Sequence, residues 1–141
     1  MSGYSGTPLA RKLGIKEGAT IAALGAAPAD FAALLEPLPP GVRWRTTARA
    51  PLDMIVAFFT RRSDVARRWP ALTRAVGSEG TVWVAWPKRS SGVTTDLTED
   101  TVREDLLPTG WVDVKVCAID ATWSGLKLVL RKELRTELRL R

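Results

Sequence analysis

Residues 52–86 read LDMIVAFFTRRSDVARRWPALTRAVGSEGTVWVAW and set out a strand, a helix and a second strand in succession. Leu52 to Phe59 (LDMIVAFF) is a nearly continuous apolar run, rich in β-branched and aromatic side chains and too short for a buried helix. Arg62 to Val76 then spaces Val65, Trp69, Leu72 and Val76 along one helical face, while Arg67, Arg68 and Arg74 fall elsewhere. After the turn Gly77 to Gly80, Thr81 to Trp86 (TVWVAW) is again apolar without alternation. Strands of this kind, joined through a helix, are covered on both faces and run parallel.

The same alternation extends upstream. Thr20 to Gly25 (TIAALG) reads as a first buried strand. Before it, Thr7-Pro8-Leu9 to Gly14 predicts a short helix with a hydroxyl N-cap, a first-turn proline and a terminating glycine. Pro28 to Glu36 predicts a second short helix, stopped by Pro37, Pro39 and Pro40, and Val42 to Thr47 a polar strand near an edge. Downstream, Pro87 to Leu97 is a long loop, Thr98 caps a helix over Glu99 to Leu107, and Trp111 to Ile119 and Leu126 to Lys132 form an antiparallel hairpin across Asp120 to Gly125. The expectation is one three-layer α/β domain over residues 1–132, with a mostly parallel sheet closed by that hairpin. Residues 133–141 form a basic tail whose leucines fit a strand (Leu134, Thr136, Leu138, Leu140) as well as a helix (Leu130, Leu134, Leu138).

Composition removes whole classes of chemistry. The chain has no histidine, so imidazole-activated nucleophiles, most zinc sites and the usual neutral-pH proton shuttle are excluded. Its one cysteine, Cys117, cannot form an intramolecular disulfide, a four-thiolate zinc site or a cluster, and reads as a small residue within a strand in a reducing, cytoplasmic setting. The charged, alanine-rich start from Arg11 to Leu35 imitates a signal peptide, but Glu17, Gly18, Pro28 and Asp30 interrupt it. The strongest apolar run, Ile55 to Phe59, lies between Asp53 and Arg61 and falls short of a membrane span. A net charge of +6 permits nucleic acid or another anionic partner, although 15 of the 21 basic residues are arginine, a bias that codon usage also produces.

The layout resembles the class I methyltransferase fold, a Rossmann-like arrangement that ends in just such a hairpin, here shortened by a unit. LGIKEG (Leu13 to Gly18), GTVWVAWPK (Gly80 to Lys88) and DATWSGLKLVLRK (Asp120 to Lys132) resemble a bacterial group, the domain of unknown function family 3052, over Ser2 to Lys132. That resemblance implies a fold and no catalytic residues. An S-adenosylmethionine site of the methyltransferase kind uses a glycine-rich first turn and an acidic residue after the second strand. Here the first turn reads Gly25-Ala26-Ala27-Pro28-Ala29-Asp30, and the second strand ends in Thr46-Thr47-Ala48-Arg49 without a carboxylate. With these motifs depleted, no cofactor is expected.

Parallel strands deliver their C-terminal loops to one edge, where ligands bind. The ends predicted to meet there carry Gly25 and Asp30, then Thr60, Arg61 and Arg62, then Lys88, Arg89, Ser90 and Ser91, a cationic and hydroxyl-bearing rim suited to an anion. Lys88 is recommended as a catalytic candidate by location alone, and Trp123 in the hairpin turn and Trp86 beside the long loop are candidates for ligand stacking. Asp96, Thr98, Glu99 and Asp100 are explained by helix capping, and Asp53 at a strand start by a structural role. The expectation is a non-catalytic module that binds an anionic small molecule or a protein partner. The alternatives are a divergent S-adenosylmethionine-dependent transferase and a nucleic-acid-associated protein.

Overall fold

The computed structural model describes residues 7–139; Ser2, where the family resemblance begins, and residues 140–141 of the tail lie outside the described residues. In chain order the elements are α1 (Leu9–Leu13), β1 (Thr20–Gly25), α2 (Phe31–Leu34), β2 (Arg43–Arg45), β3 (Met54–Phe58), α3 (Arg62–Val76), β4 (Thr81–Pro87), α4 (Glu99–Leu106), β5 (Trp111–Ala118), β6 (Trp123–Leu130) and α5 (Lys132–Arg139). They build a six-stranded sheet in the order β2-β1-β3-β4-β6-β5. The first four strands are parallel, and β6 runs antiparallel to both β4 and β5. This is the mixed α/β, mostly parallel arrangement expected from the apolar runs.

Every residue of β3 is buried, because β3 lies at the centre of the sheet with helices on both faces. Alternate residues supply two cores. Ile55, Ala57, Val82, Val84, Leu126 and Leu128 face one side, where α3 contributes Val65, Trp69 and Leu72 and α4 contributes Val102 and Leu106. Val56, Phe58, Trp83 and Trp123 face the other, under Leu13 of α1 and Phe31 of α2. Trp83 is fully buried, and its indole N–H donates to the Leu13 carbonyl at 3.0 Å, which ties α1 to the sheet.

Several boundaries differ from expectation for local reasons. Pro8, not Thr7, occupies the N-cap position of α1, and α2 shrinks to Phe31–Leu34. β6 begins at Trp123, because the turn before it is closed by the Asp120 carboxylate, which accepts from the Thr122 and Trp123 N–H groups at 2.8 and 2.7 Å. The tail is helical over Lys132–Arg139, with Leu134 packed against the first core. Among the described residues no helix is long and apolar enough to cross a membrane.

Candidate functional site

The ends of β1, β3 and β4 are level: Gly25 pairs with Phe58, and Phe58 with Ala85. The loops that follow therefore leave from one edge. At that edge the sheet changes direction, since the chain runs outward from β1 to β2 and then returns to place β3 on the other side of β1. Such a switch point opens a crevice between two diverging connections. The turn at its mouth begins with Gly25 at φ +77°, where a Cβ would lie 2.2 Å from the Phe58 carbonyl oxygen. The Ala26 N–H donates to that same oxygen at 3.0 Å, so the backbone lies directly on the end of β3. Only glycine permits this approach.

The predicted rim residues share this edge but differ in what they are bonded to. Asp30 is exposed just before α2, and its carboxylate caps nothing and has no partner among the described residues. The Thr60 carbonyl accepts from Thr95 Oγ1 at 2.6 Å. Arg61 is exposed at the N-cap of α3. Arg62 is occupied: its guanidinium donates to both oxygens of Asp105 at 2.7 and 2.8 Å and to Glu104 at 3.1 Å, and its backbone N–H donates to Asp96 at 2.7 Å. Lys88 is occupied too, with Nζ donating to the Asp120 carbonyl at 2.7 Å and its N–H donating to the Thr122 carbonyl at 2.7 Å. It clamps the end of β4 to the β5–β6 turn. Arg89 and Ser90 are exposed in a 3₁₀ turn, and Ser91 Oγ donates to the Lys88 carbonyl at 2.6 Å.

Two expectations are corrected by burial. Trp123 lies at the start of β6, only 8% exposed, edge-on to Phe58 with ring centroids 5.1 Å apart, and is not a stacking surface in a turn. Trp86 is 6% exposed. The exposed tryptophan is Trp44 on β2, a position that the polar strand pattern alone did not single out. Asp53 has the structural role expected of it, accepting the Thr20 N–H at 2.8 Å and so joining the starts of β1 and β3. Thr98 caps α4 through a reciprocal pair of bonds with Thr101.

Of the perturbed ionisable groups, Arg62 and its partner Asp105 lie at this rim. Hydrogen bonds from Arg62 hold the Asp105 carboxyl below its usual range, and those from Arg103 do the same for Asp113. Burial pushes the Cys117 thiol up, which keeps it protonated and unreactive. Burial, then the charges of Lys115 and Lys16, pulls the Lys127 ammonium down. Among the described residues no cluster of acids and cysteine could hold a metal.

Next to the crevice, behind β4, the loop of residues 88–98 encloses a groove of about 510 Å³ with Trp86, Pro87, Arg89, Val93, Thr94 and Leu97 in its lining. The loop is fixed to the end of β3 by the bonds from Thr95 to Thr60 and from Arg62 to Asp96. A second cavity, of about 420 Å³, lies at the opposite edge around Lys16, Asp53 and Lys127.

This fold is shared with class I S-adenosylmethionine-dependent methyltransferases. The chain is similar to an S-adenosylmethionine-dependent methyltransferase from Aquifex aeolicus, with a TM-score of 0.60 and 15% identity over 84% of this chain and 85% of that one. It is similar to DhpI in a complex with SAH, with a TM-score of 0.60 and 13% identity over 89% and 83% of the two chains. It also matches Aeropyrum pernix fibrillarin with natively bound S-adenosyl-L-methionine, with a TM-score of 0.51 and 19% identity over 90% and 70%. No protein-family model and no curated protein sequence matches the chain, so the resemblance to domain family 3052 rests on the three quoted motifs alone. The expectation that no cofactor is involved is overturned: structures matched over most of this chain are described as methyltransferases or carry S-adenosylmethionine or SAH. One glycine, Gly25, is enough to lay the backbone on the end of β3, although the turn is not glycine-rich.

Proposed function

We propose that this chain binds S-adenosylmethionine in the crevice outside the ends of β1 and β3 and acts as a divergent transferase. The observation that carries the reading is Gly25 at the switch point, where a left-handed turn brings the backbone onto the Phe58 carbonyl. The residues present fit the cofactor in part. Gly25, Ala26 and Ala27 leave the mouth of the crevice free of large side chains, which lets a ligand reach the main chain. No carboxylate follows β2, where Arg45, Thr46 and Thr47 stand. Asp30, on the loop after β1, takes the place of the missing acid in this reading: its uncommitted carboxylate would accept hydrogen bonds from the ribose hydroxyls or the ammonium group of the ligand. When bound, the cofactor supplies an electrophilic methyl group on a sulfonium. The chain's part is to hold it and to keep an acceptor beside it.

Isothermal calorimetry of the full chain with S-adenosylmethionine and S-adenosylhomocysteine tests the reading. Binding of both, weakened about tenfold or more in Asp30→Asn, is the expected result. A folded protein that gives no heat with millimolar cofactor would refute it. A binding module without transfer is the second reading, favoured by the commitment of Lys88 to the Asp120 carbonyl, which leaves this edge without an available lysine base. Binding together with no methyl transfer to any acceptor would select it.

A further inference from the structure

Four of the chain's six lysines gather where α1 and the loop after it cover β5 and β6. Lys127 on β6 stands directly across from Lys115 on β5, so both side chains share one face of the sheet, an arrangement that costs stability for like charges. Lys115 Nζ donates to the carbonyl of Lys12 in α1 at 3.0 Å, and Lys16, in the loop after α1, lines the same cavity as Lys127. Lys127 differs from Lys115 and Lys16 in being partly buried, and its Nζ lies over bare backbone, since a Cβ at Gly14 would stand 3.1 Å from it. Among the described residues it has neither a hydrogen bond nor an ion pair. Three carboxylates also line the cavity, and none of them pairs with it: Asp53 accepts the Thr20 N–H at 2.8 Å, Ser78 Oγ donates to Glu79 at 3.4 Å, and Glu17 is exposed. Burial, then the charges of Lys115 and Lys16, pulls the Lys127 ammonium down, so cations dominate the field at Nζ and the neutral amine is favoured there.

We infer that Lys127 is a carbamylation site, at which CO₂ adds to the side-chain amine and the resulting carbamate is held by the ammonium groups of Lys115 and Lys16. The ammonium first releases one proton to become the nucleophile. The nitrogen lone pair then forms a C–N bond to CO₂, one C–O π pair moves onto oxygen, and a second proton leaves nitrogen for solvent; nothing is oxidised or reduced. The charges select this electrophile. A thioester or an aldehyde would leave an amide or an imine, neither of them anionic and neither attracted to the flanking cations. A carbamate carries a negative charge where the ammonium carried a positive one, so two repulsions become two attractions. The cavity, about 420 Å³, admits so small a reagent without rearrangement. It lies at the edge away from the crevice, so the inference is independent of the cofactor reading.

The test incubates the full chain with ¹³C-labelled bicarbonate in mildly alkaline buffer, alkylates any carbamate with triethyloxonium ion and maps the product after trypsin. Trypsin does not cut after a lysine so modified, and the label is expected on a peptide running from Val116 to Arg131. It should be about tenfold more abundant at Lys127 than at Lys132, an exposed lysine outside the cluster, and the corresponding peptide of Lys127→Met should carry none. Lys115→Gln removes one flanking charge from an exposed position, so the variant should fold as the parent does and label at Lys127 about fivefold less. Equal labelling of Lys127 and Lys132 in the parent would overturn the inference. Labelling of Lys127 that is the same in the folded chain and in concentrated urea, or the same in the parent and Lys115→Gln, would do so as well.

Discussion

Replacing Gly25 with alanine should destabilise the protein far more than the same change at Gly18, although both residues sit at φ +77°. The shared left-handed backbone costs an L-residue about 1–2 kcal/mol, partly offset by the smaller entropy of the unfolded chain. At Gly18 nothing lies within 4 Å of the added methyl group, so that is the whole cost. At Gly25 the methyl group meets the Phe58 carbonyl oxygen at 2.2 Å, and the separation must open to at least 3.0 Å. The Ala26 N–H, already 3.0 Å from that oxygen, is carried out of bonding range by such a shift, at about 1 kcal/mol. Displacing a buried strand end adds about 1–3 kcal/mol. The Gly25→Ala variant should therefore be less stable than Gly18→Ala by about 2–4 kcal/mol, a difference of roughly 1–2 M in urea midpoint. Urea unfolding followed by tryptophan fluorescence measures both. Equal midpoints would mean that the turn does not lie on β3, and the geometry proposed for the crevice would go with it.

Three further outcomes test the packing and the charges. Trp123→Ala should cost about 3–5 kcal/mol by thermal or urea unfolding, because it empties a core site against Phe58; a change of under 1 kcal/mol would place the ring outside the core. Asp105 has a folded-state pKa below its unfolded value, so its contribution is present above about pH 4 and is lost as the pH falls through that region. Asp105→Asn should accordingly lose less stability than the parent between pH 7 and pH 3, and parallel losses would remove the role given to the Arg62 pair. Lys127 has the opposite logic: its depressed pKa means that the charged form opposes folding, so Lys127→Met should raise the melting temperature at pH 7.5, and the gain should shrink as the pH rises towards 10.5 and be gone above it. A gain independent of pH would assign the effect to packing alone.

The sequence revealed most where side chains are apolar on both faces. β1, β3, β4 and α3 stand within a residue or two of their predicted places, because burial in a parallel layer leaves a continuous run that no other element imitates at that length. β6 begins earlier than its apolar run suggests, because Trp123-Ser124-Gly125 reads as a turn. The signal that would have corrected it is Asp120, an acceptor for the N–H groups two and three residues on. The rim was legible as a place, through the rule that parallel strands end together, but not as a set of available charges. Arg62 is paired with Asp105, 43 residues away, and Lys88 is hydrogen-bonded to a carbonyl 32 residues away; neither partner has any local pattern to announce it. The tail stayed ambiguous because its leucines suit both periods, and the choice is made by Leu134 meeting the core beside Gly110.

The direct passage from β2 to β3 has a consequence for how the molecule meets its own copies. A sheet that ends without a covering strand exposes a border of unsatisfied amides, the usual template for chain-to-chain recruitment. Here that border is Arg43–Arg45, three residues with two guanidinium groups. A second molecule adding along it would gain a very short ladder and face like charge at once, so this border of the sheet carries its own deterrent to strand addition.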